Sequence, residues 1–156
     1  MIKPASNSTM RVCFAISGPN TRGGIERHVY DLSQGLAQTS THVFVLAHAS
    51  YADWFPKTIP FHPVQFDRWR YNPRLLAEVV KNIRQVRPDI VHAHGRKAAQ
   101  VVSLIRNRVP SRRILTVHNA NVKAIHYRHF HEVIAVSSTV AAAIEHPRLF
   151  VIPNGC

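Results

Sequence analysis

Gly18, Gly23 and Gly24 stand in a Gly-x4-Gly-Gly spacing, between an apolar run and a helically patterned segment. A glycine-rich turn at a helix N-terminus can face a phosphate with its backbone N–H groups. The spacing matches the first two glycines of a P-loop. Ile25-Glu26 stand where Lys-Ser/Thr would be, so ATP or GTP hydrolysis is not expected. Gly-x-Gly-x-x-Gly is absent as well, which argues against an ordinary NAD site. The competing reading is a tight strand-to-helix turn that needs positive φ.

The chain has 11 histidines, which raises the question of a metal. His92 and His94, two apart on one predicted strand, share a face. His126, His129 and His131 crowd a short segment. No cysteine and few carboxylates lie near either group, and Asp-x-Asp is absent. A structural zinc site wants four closely spaced ligands, and a phosphate-bridging divalent ion wants carboxylates. No metal is therefore expected.

His118 is placed differently. It ends the apolar run Ile114-Leu-Thr-Val-His118 and is followed by Asn119-Ala-Asn121. An imidazole at the carboxyl end of a buried strand can hydrogen-bond a hydroxyl or a phosphate near neutral pH, or else bond neighbouring backbone. Ser137-Ser138 lack a Gly-x-Ser-x-Gly elbow, and Ser138 is better suited to capping a helix than to attacking a substrate.

The elements that must hold these residues follow from hydrophobic periodicity. Apolar runs predict strands at 11–17, 41–47, 59–66, 89–94, 113–118, 133–136 and 148–152. Spacings of three and four predict helices at 25–37, from Asn72-Pro73 to Pro88, and at 97–107. A short basic helix near 123–131 and one capped by Ser138 and running through Ile144 complete the pattern. Alternation of short Val/Ile-rich strands with helices predicts a doubly wound, mostly parallel Rossmann-like sheet of about seven strands, with helices on both faces. Ligands then sit beyond the carboxyl ends of the strands, where the glycines, His118 and Ser137 collect.

The formal net charge is +12. Its placement is more informative than its size: residues 68–128 hold fourteen basic and two acidic groups, while the flanking segments are nearly neutral. Arg74, Lys81 and Arg84 fall near one helical face, and Arg87, Arg96, Lys97, Arg106, Arg108, Arg112 and Arg113 extend the block. Arg68-Trp69-Arg70-Tyr71 interleaves aromatic and basic side chains, which suits a bilayer interface or a sugar site. Against a merely solvated surface stand an anionic membrane and a polyanionic acceptor. Nucleic acid ranks lower, because no helix-turn-helix or RNP-like pattern accompanies the charge.

Residues 1–10 form a polar tail without the apolar core of a signal peptide. No apolar stretch approaches the ~20 residues of a membrane span. Cys13 and Cys156 are expected to be free thiols. A cytoplasmic protein, with peripheral contact to the inner membrane face, is the expectation.

Five motifs occur in order: Gly23-Gly-Ile-Glu-Arg-His-Val29, Pro88-Asp-Ile-Val-His-Ala-His-Gly95, Thr116-Val-His118, Val133-Ile-Ala-Val-Ser-Ser138 and Val151-Ile-Pro-Asn-Gly155. Together they resemble the N-terminal domain of a GT-B glycosyltransferase of the large retaining "group 1" kind, over about residues 10–156. The resemblance implies two Rossmann-like domains, the first mainly holding the acceptor and the second the nucleotide-sugar donor. It implies that Gly23 and Gly24 approach the donor phosphates and that His118 is the catalytic cleft residue. His94, Gly95 and Arg96 would lie at the acceptor rim, with Asn119 and Ser137 nearby. No metal or other cofactor is implied.

Val-Ile-Pro-Asn-Gly marks the family's crossing into the second domain, and that domain's Glu-x7-Glu pair has no counterpart here. The resemblance thus points to half an enzyme spanning 11–156, inactive alone, serving lipopolysaccharide or polysaccharide assembly on a glycan or lipid-linked acceptor. The alternative is a non-catalytic module that docks an anionic membrane or polyanion through Arg68, Trp69, Arg70, Arg74, Lys81 and Arg84.

Overall fold

The computed structural model describes residues 9–154. The expected tail up to Ser8 and the expected crossing residues Gly155 and Cys156 lie outside them. Seven strands form one sheet: β1 (Met10–Ile16), β2 (Thr41–Ala47), β3 (Phe61–Pro63), β4 (Ile90–His94), β5 (Arg112–Val117), β6 (Glu132–Ala135) and β7 (Leu149–Val151). Their order is β3-β2-β1-β4-β5-β6-β7 and every pairing is parallel. The helices are α1 (Gly24–Ala37), α2 (Pro73–Val86), α3 (Arg96–Leu104), α4 (Ala124–Tyr127) and α5 (Ser138–Ala141). None of them is long and apolar enough to cross a membrane.

Alternation along β1 builds two cores. Val12, Phe14 and Ile16 face α1 and pack with Val29, Val43, Val45 and Tyr51. Cys13 and Ala15 face the other way, with Leu75, Val79 and Ile83 of α2 and Ala98 and Val102 of α3. Burial pushes the Cys13 thiol up to about 12, so it is an inert filler.

The helix ends follow local chemistry. Asn72 Oδ1 accepts the Arg74 N–H at 2.9 Å and caps α2, with Pro73 in its first turn. Arg87 closes α2 in the left-handed region at φ 50, before Pro88.

Several elements are shorter than periodicity predicts. The third strand shrinks to 61–63, because Pro60 and Pro63 have no N–H for the ladder and confine it to the sheet edge. After Leu104 the chain tightens into three-residue turns, Arg106 N–H to Ser103 C=O and Arg108 N–H to Ile105 C=O, so α3 stops short of Asn107. The basic helix near 123–131 is only α4. The cap of α5 is Ser137, not Ser138: its Oγ accepts the Val140 N–H at 3.2 Å, and α5 ends at Ala141 rather than Ile144.

The chain winds outward from β1 to β3 and then crosses back to place β4 beside β1. The direction of winding reverses between β1 and β4, and the crevice beyond their carboxyl ends is where such sheets bind ligands.

Candidate active site

Three loops meet at that crevice. The first follows β1. Positive φ falls at Gly18 (94°) and, unusually for a side-chain residue, at Arg22 (55°). Gly23 has φ −79 and caps α1, so the glycine pair does not serve a positive-φ turn. A Cβ on Gly23 would lie 2.8 Å from Glu26 Oε2, whereas nothing lies within 4 Å of a Cβ on Gly24.

Glu26 folds back over the start of α1. Its Oε1 accepts the Thr21 hydroxyl at 2.8 Å and the Tyr51 hydroxyl at 3.4 Å. Burial pushes this carboxyl up in pKa, but hydrogen bonds from its own backbone, from Thr21 and from Tyr51 outweigh that and hold it below the ordinary glutamate value. The positive end of α1 is therefore already matched by the chain's own carboxylate, while Gly24 leaves its backbone open.

The second loop follows β4. Gly95 has φ 84, a conformation that favours glycine, and leads into Arg96 at the start of α3. The third follows β5 and carries His118, Asn119 and Asn121. A cavity of about 80 Å³ opens here, lined by Ile25, Gly95, Arg96, Thr116, His118 and Asn119 among others. Arg96 donates to the Asn121 carbonyl at 3.4 Å and closes one side of it.

Beneath the cavity lies a cluster of imidazoles. In the sheet register His94 stands beside Thr116, and both face α1. His94 Nδ1 lies 3.3 Å from His118 Nε2. His28, on the second turn of α1, meets the His118 ring edge-on, with centroids 5.1 Å apart. His92 lies deeper, its Nε2 at 2.8 Å from Thr116 Oγ1.

Burial, then the charge His28 would carry, brings His118 down to about 4. Burial, then the potential charges on its three neighbours, holds His94 well below the ordinary value. Burial, then His28 and His118, brings His92 down to about 3, and burial also lowers His28. At neutral pH these rings are uncharged. They can donate and accept hydrogen bonds but cannot offer a cation to an anionic ligand.

The structure thus brings together His118, Gly95, Arg96 and Asn119 around one cavity, with Gly23 and Gly24 beside it at the head of α1. His94 is not at the rim: it is fully buried behind His118. Ser137 stands apart, its hydroxyl spent on the α5 cap. Among the described residues, the three that could share a metal ion are His28, His94 and His118, whose ligand atoms lie within 4.8 Å of one another. His126 and His131 instead accept backbone N–H groups of Lys123 and Arg113 through Nδ1.

Sequence reasoning missed His28 and Glu26. Both sit in the first turns of α1, directly after the glycine pair, and so had to reach the same sheet edge as His118.

The basic block divides: Arg96 lines the cavity, while the residues around Trp69 and α2 lie away from its lining. Trp69 is 67% exposed and meets Tyr71 edge-on, with centroids 4.9 Å apart. Arg70 donates to Gln100 at 2.6 Å, Arg84 to the Arg108 carbonyl at 3.0 Å, and Arg68 lies 4.0 Å from Glu78. Arg74 and Lys81 are exposed on α2.

A doubly wound parallel sheet with a histidine-lined crevice at its reversal point defines a Rossmann-like domain. The chain belongs to Glycosyltransferase Family 4, whose family model matches residues 22–156. No curated protein matches the sequence.

Solved structures of the same fold include Anabaena Alr3699/HepE in complex with UDP, at TM-score 0.74 and 19% identity, covering 94% of this chain and 44% of that one. Acinetobacter baumannii MurG follows the same path at TM-score 0.70 and 14% identity, covering 94% and 46%. The lipopolysaccharide outer core galactosyltransferase WaaB, in its apo form, does so at TM-score 0.62 and 15% identity, covering 90% and 44%. The chain spans less than half the length of these neighbours. The fold is that of the N-terminal domain of a GT-B glycosyltransferase.

Proposed function

We propose that this chain is the acceptor-side half of a retaining glycosyltransferase that moves a sugar from a nucleotide-sugar to a glycan or lipid-linked acceptor. The observation that carries the reading is His118, uncharged and lining the cavity at the carboxyl edge of the sheet, in a chain of this family. HepE holds UDP, which supports a nucleotide-linked donor. The likeness to a lipopolysaccharide outer core galactosyltransferase supports lipopolysaccharide assembly as the setting.

In this reading most of the donor contacts belong to a second domain, and the chain alone does not turn over. His118 hydrogen-bonds the transferring sugar or the acceptor hydroxyl. The leaving phosphate takes the acceptor proton, so an obligatory protein base is not needed. Gly24 lets the donor phosphates approach the head of α1, and no metal or other cofactor takes part.

The test is His118→Ala in this chain joined to its donor domain. Transfer should fall by ~100-fold, the scale of lost positioning. Activity within a factor of two of the parent would refute the role given to His118. Turnover by the 156-residue chain alone would refute the division of labour.

A second reading is favoured by the exposed Trp69 and Tyr71 just before α2 and the exposed Arg74 and Lys81 on it. This face docks an anionic membrane, which would bring the cleft to a lipid-linked acceptor.

A further inference from the structure

His94 is a polar side chain buried completely, yet it does not line the cavity at His118 and has no part in the chemistry above. Its ring is clamped between Phe14, His92 and His28, with centroids at 5.6, 4.3 and 5.5 Å. We infer that His94 is a positioning residue that fixes the tautomer of His118: His94 Nδ1–H donates to His118 Nε2, so His118 keeps its own proton on Nδ1 and offers it to the cleft.

The assignment follows from hydrogen-bond bookkeeping. Nδ1 of His94 and Nε2 of His118 face each other at 3.3 Å, so one of the two carries the proton between them. Both rings are neutral, and each has one proton to place. If His118 were the donor, the proton of His94 would sit on its Nε2. That atom is buried and has no hydrogen-bond partner among the described residues. A buried N–H without an acceptor is among the rarest features of folded proteins, and an unmet acceptor is tolerated better. With His94 donating, its Nε2 is only a bare lone pair among aromatic rings. Rotating the His94 ring by half a turn would set a carbon against His118 and lose the bond.

A metal ion held by His28, His94 and His118 is the competing use of the same atoms. A metal-bound imidazole passes its other N–H to a carboxylate, carbonyl or water. His94 has no such acceptor, so the hydrogen-bonded arrangement fits the surroundings better.

The consequence is chemical. With Nε2 occupied and Nδ1 protonated, His118 is not poised to take a proton. It is a neutral donor aimed at an oxygen, such as a sugar hydroxyl or a phosphate oxygen. The identity of that oxygen rests on the transferase reading; the tautomer does not.

Long-range proton–nitrogen NMR of the nitrogen-15-labelled chain at neutral pH separates protonated from bare ring nitrogens. Protonation at Nδ1 is expected for both His94 and His118. An Nε2-protonated or averaged His118 overturns the inference. His94→Asn keeps a donor near the Nδ1 position and should preserve the His118 pattern. His94→Leu should release it to the Nε2-protonated or averaged form, and an unchanged pattern there also overturns the inference. If the leucine variant does not fold, the parent and the asparagine variant still decide.

The spectra are repeated with zinc and with a chelator. Joint, zinc-dependent shifts of His28, His94 and His118 would make the cluster a metal site and overturn the inference; identical spectra support it. A failure here leaves the activity test of His118→Ala untouched.

Discussion

The Ser17 hydroxyl accepts the backbone N–H of Ala98 at 3.1 Å, joining the end of β1 to the first turn of α3 across 81 positions of sequence. Gly95, the residue at the head of α3, has no side chain with which to cap it. The strand next door supplies the cap, and the bond also pins two loops of the cleft to each other. Ser17→Ala should cost ~1 kcal/mol, the usual worth of a cap, and lower the urea midpoint. An unchanged midpoint would mean that water replaces the hydroxyl at no cost.

Gly24→Ala separates folding from ligand approach. A Cβ at this position meets nothing within 4 Å, and alanine favours a helix. Thermal stability should hold or rise slightly. In the joined enzyme the donor KM should rise several-fold, because the methyl stands where a phosphate would approach. An unaltered KM would remove this loop from donor binding.

The neutral imidazoles predict a particular acid lability. His118 and His92 titrate in the fold at about 4 and about 3, against 6.5 when exposed. Above pH 6.5 both folded and unfolded chains carry them uncharged. As the pH falls from there towards 4, the unfolded chain takes up protons that the folded one refuses, so stability is lost through this window. Each displaced pKa unit corresponds to ~1.4 kcal/mol of stability. Glu26 and Glu132, both held below 4.5, add to it only at lower pH. Denaturant midpoints measured from pH 7 to 4 should show the slope, and His92→Phe should flatten it. A level profile would contradict the buried, neutral cluster.

Vesicle sedimentation tests the basic face. Binding to anionic vesicles at low salt, but not to neutral ones, is expected. Arg74→Ala with Lys81→Ala should weaken it by roughly 30-fold, at about 1 kcal/mol per basic residue. Trp69→Ala should weaken whatever binding survives at high salt, since its contribution is not screened. Equal binding to neutral vesicles, or none at low salt, would set the membrane role aside.

The sequence pattern was most informative where local chemistry decides the outcome. β2 matches its apolar run at both ends, and α2 begins and stops where Asn72-Pro73 and Pro88 require. It was less informative where tertiary context decides. Nothing in Ser137-Ser138 says which hydroxyl will find the Val140 N–H. Two prolines were visible in the third strand, but not how few ladder bonds they would leave. His94 was legible as a strand-end histidine, but depth is not written in a strand's alternation. Only the α1 helix laid over it, bringing His28, shows that it supports His118 from behind. The roles of these residues in transfer rest on chemistry that no spacing encodes.

β1 is an interior strand of the sheet, paired through Val12 to Val43 on one side and to Ile90 on the other. A ribosome makes β1 before β4, with residues 17–89 between them. Until then the newborn chain can assemble β1, β2, β3 and α1, but one flank of β1 stays open, with Phe14 and Ile16 on that strand. The parallel pairing that closes this flank must form across a long intervening chain, which makes it slow. The step that joins β1 to β4 is also the one that builds the crevice, so the nascent chain acquires its cleft and its protection from aggregation in the same event.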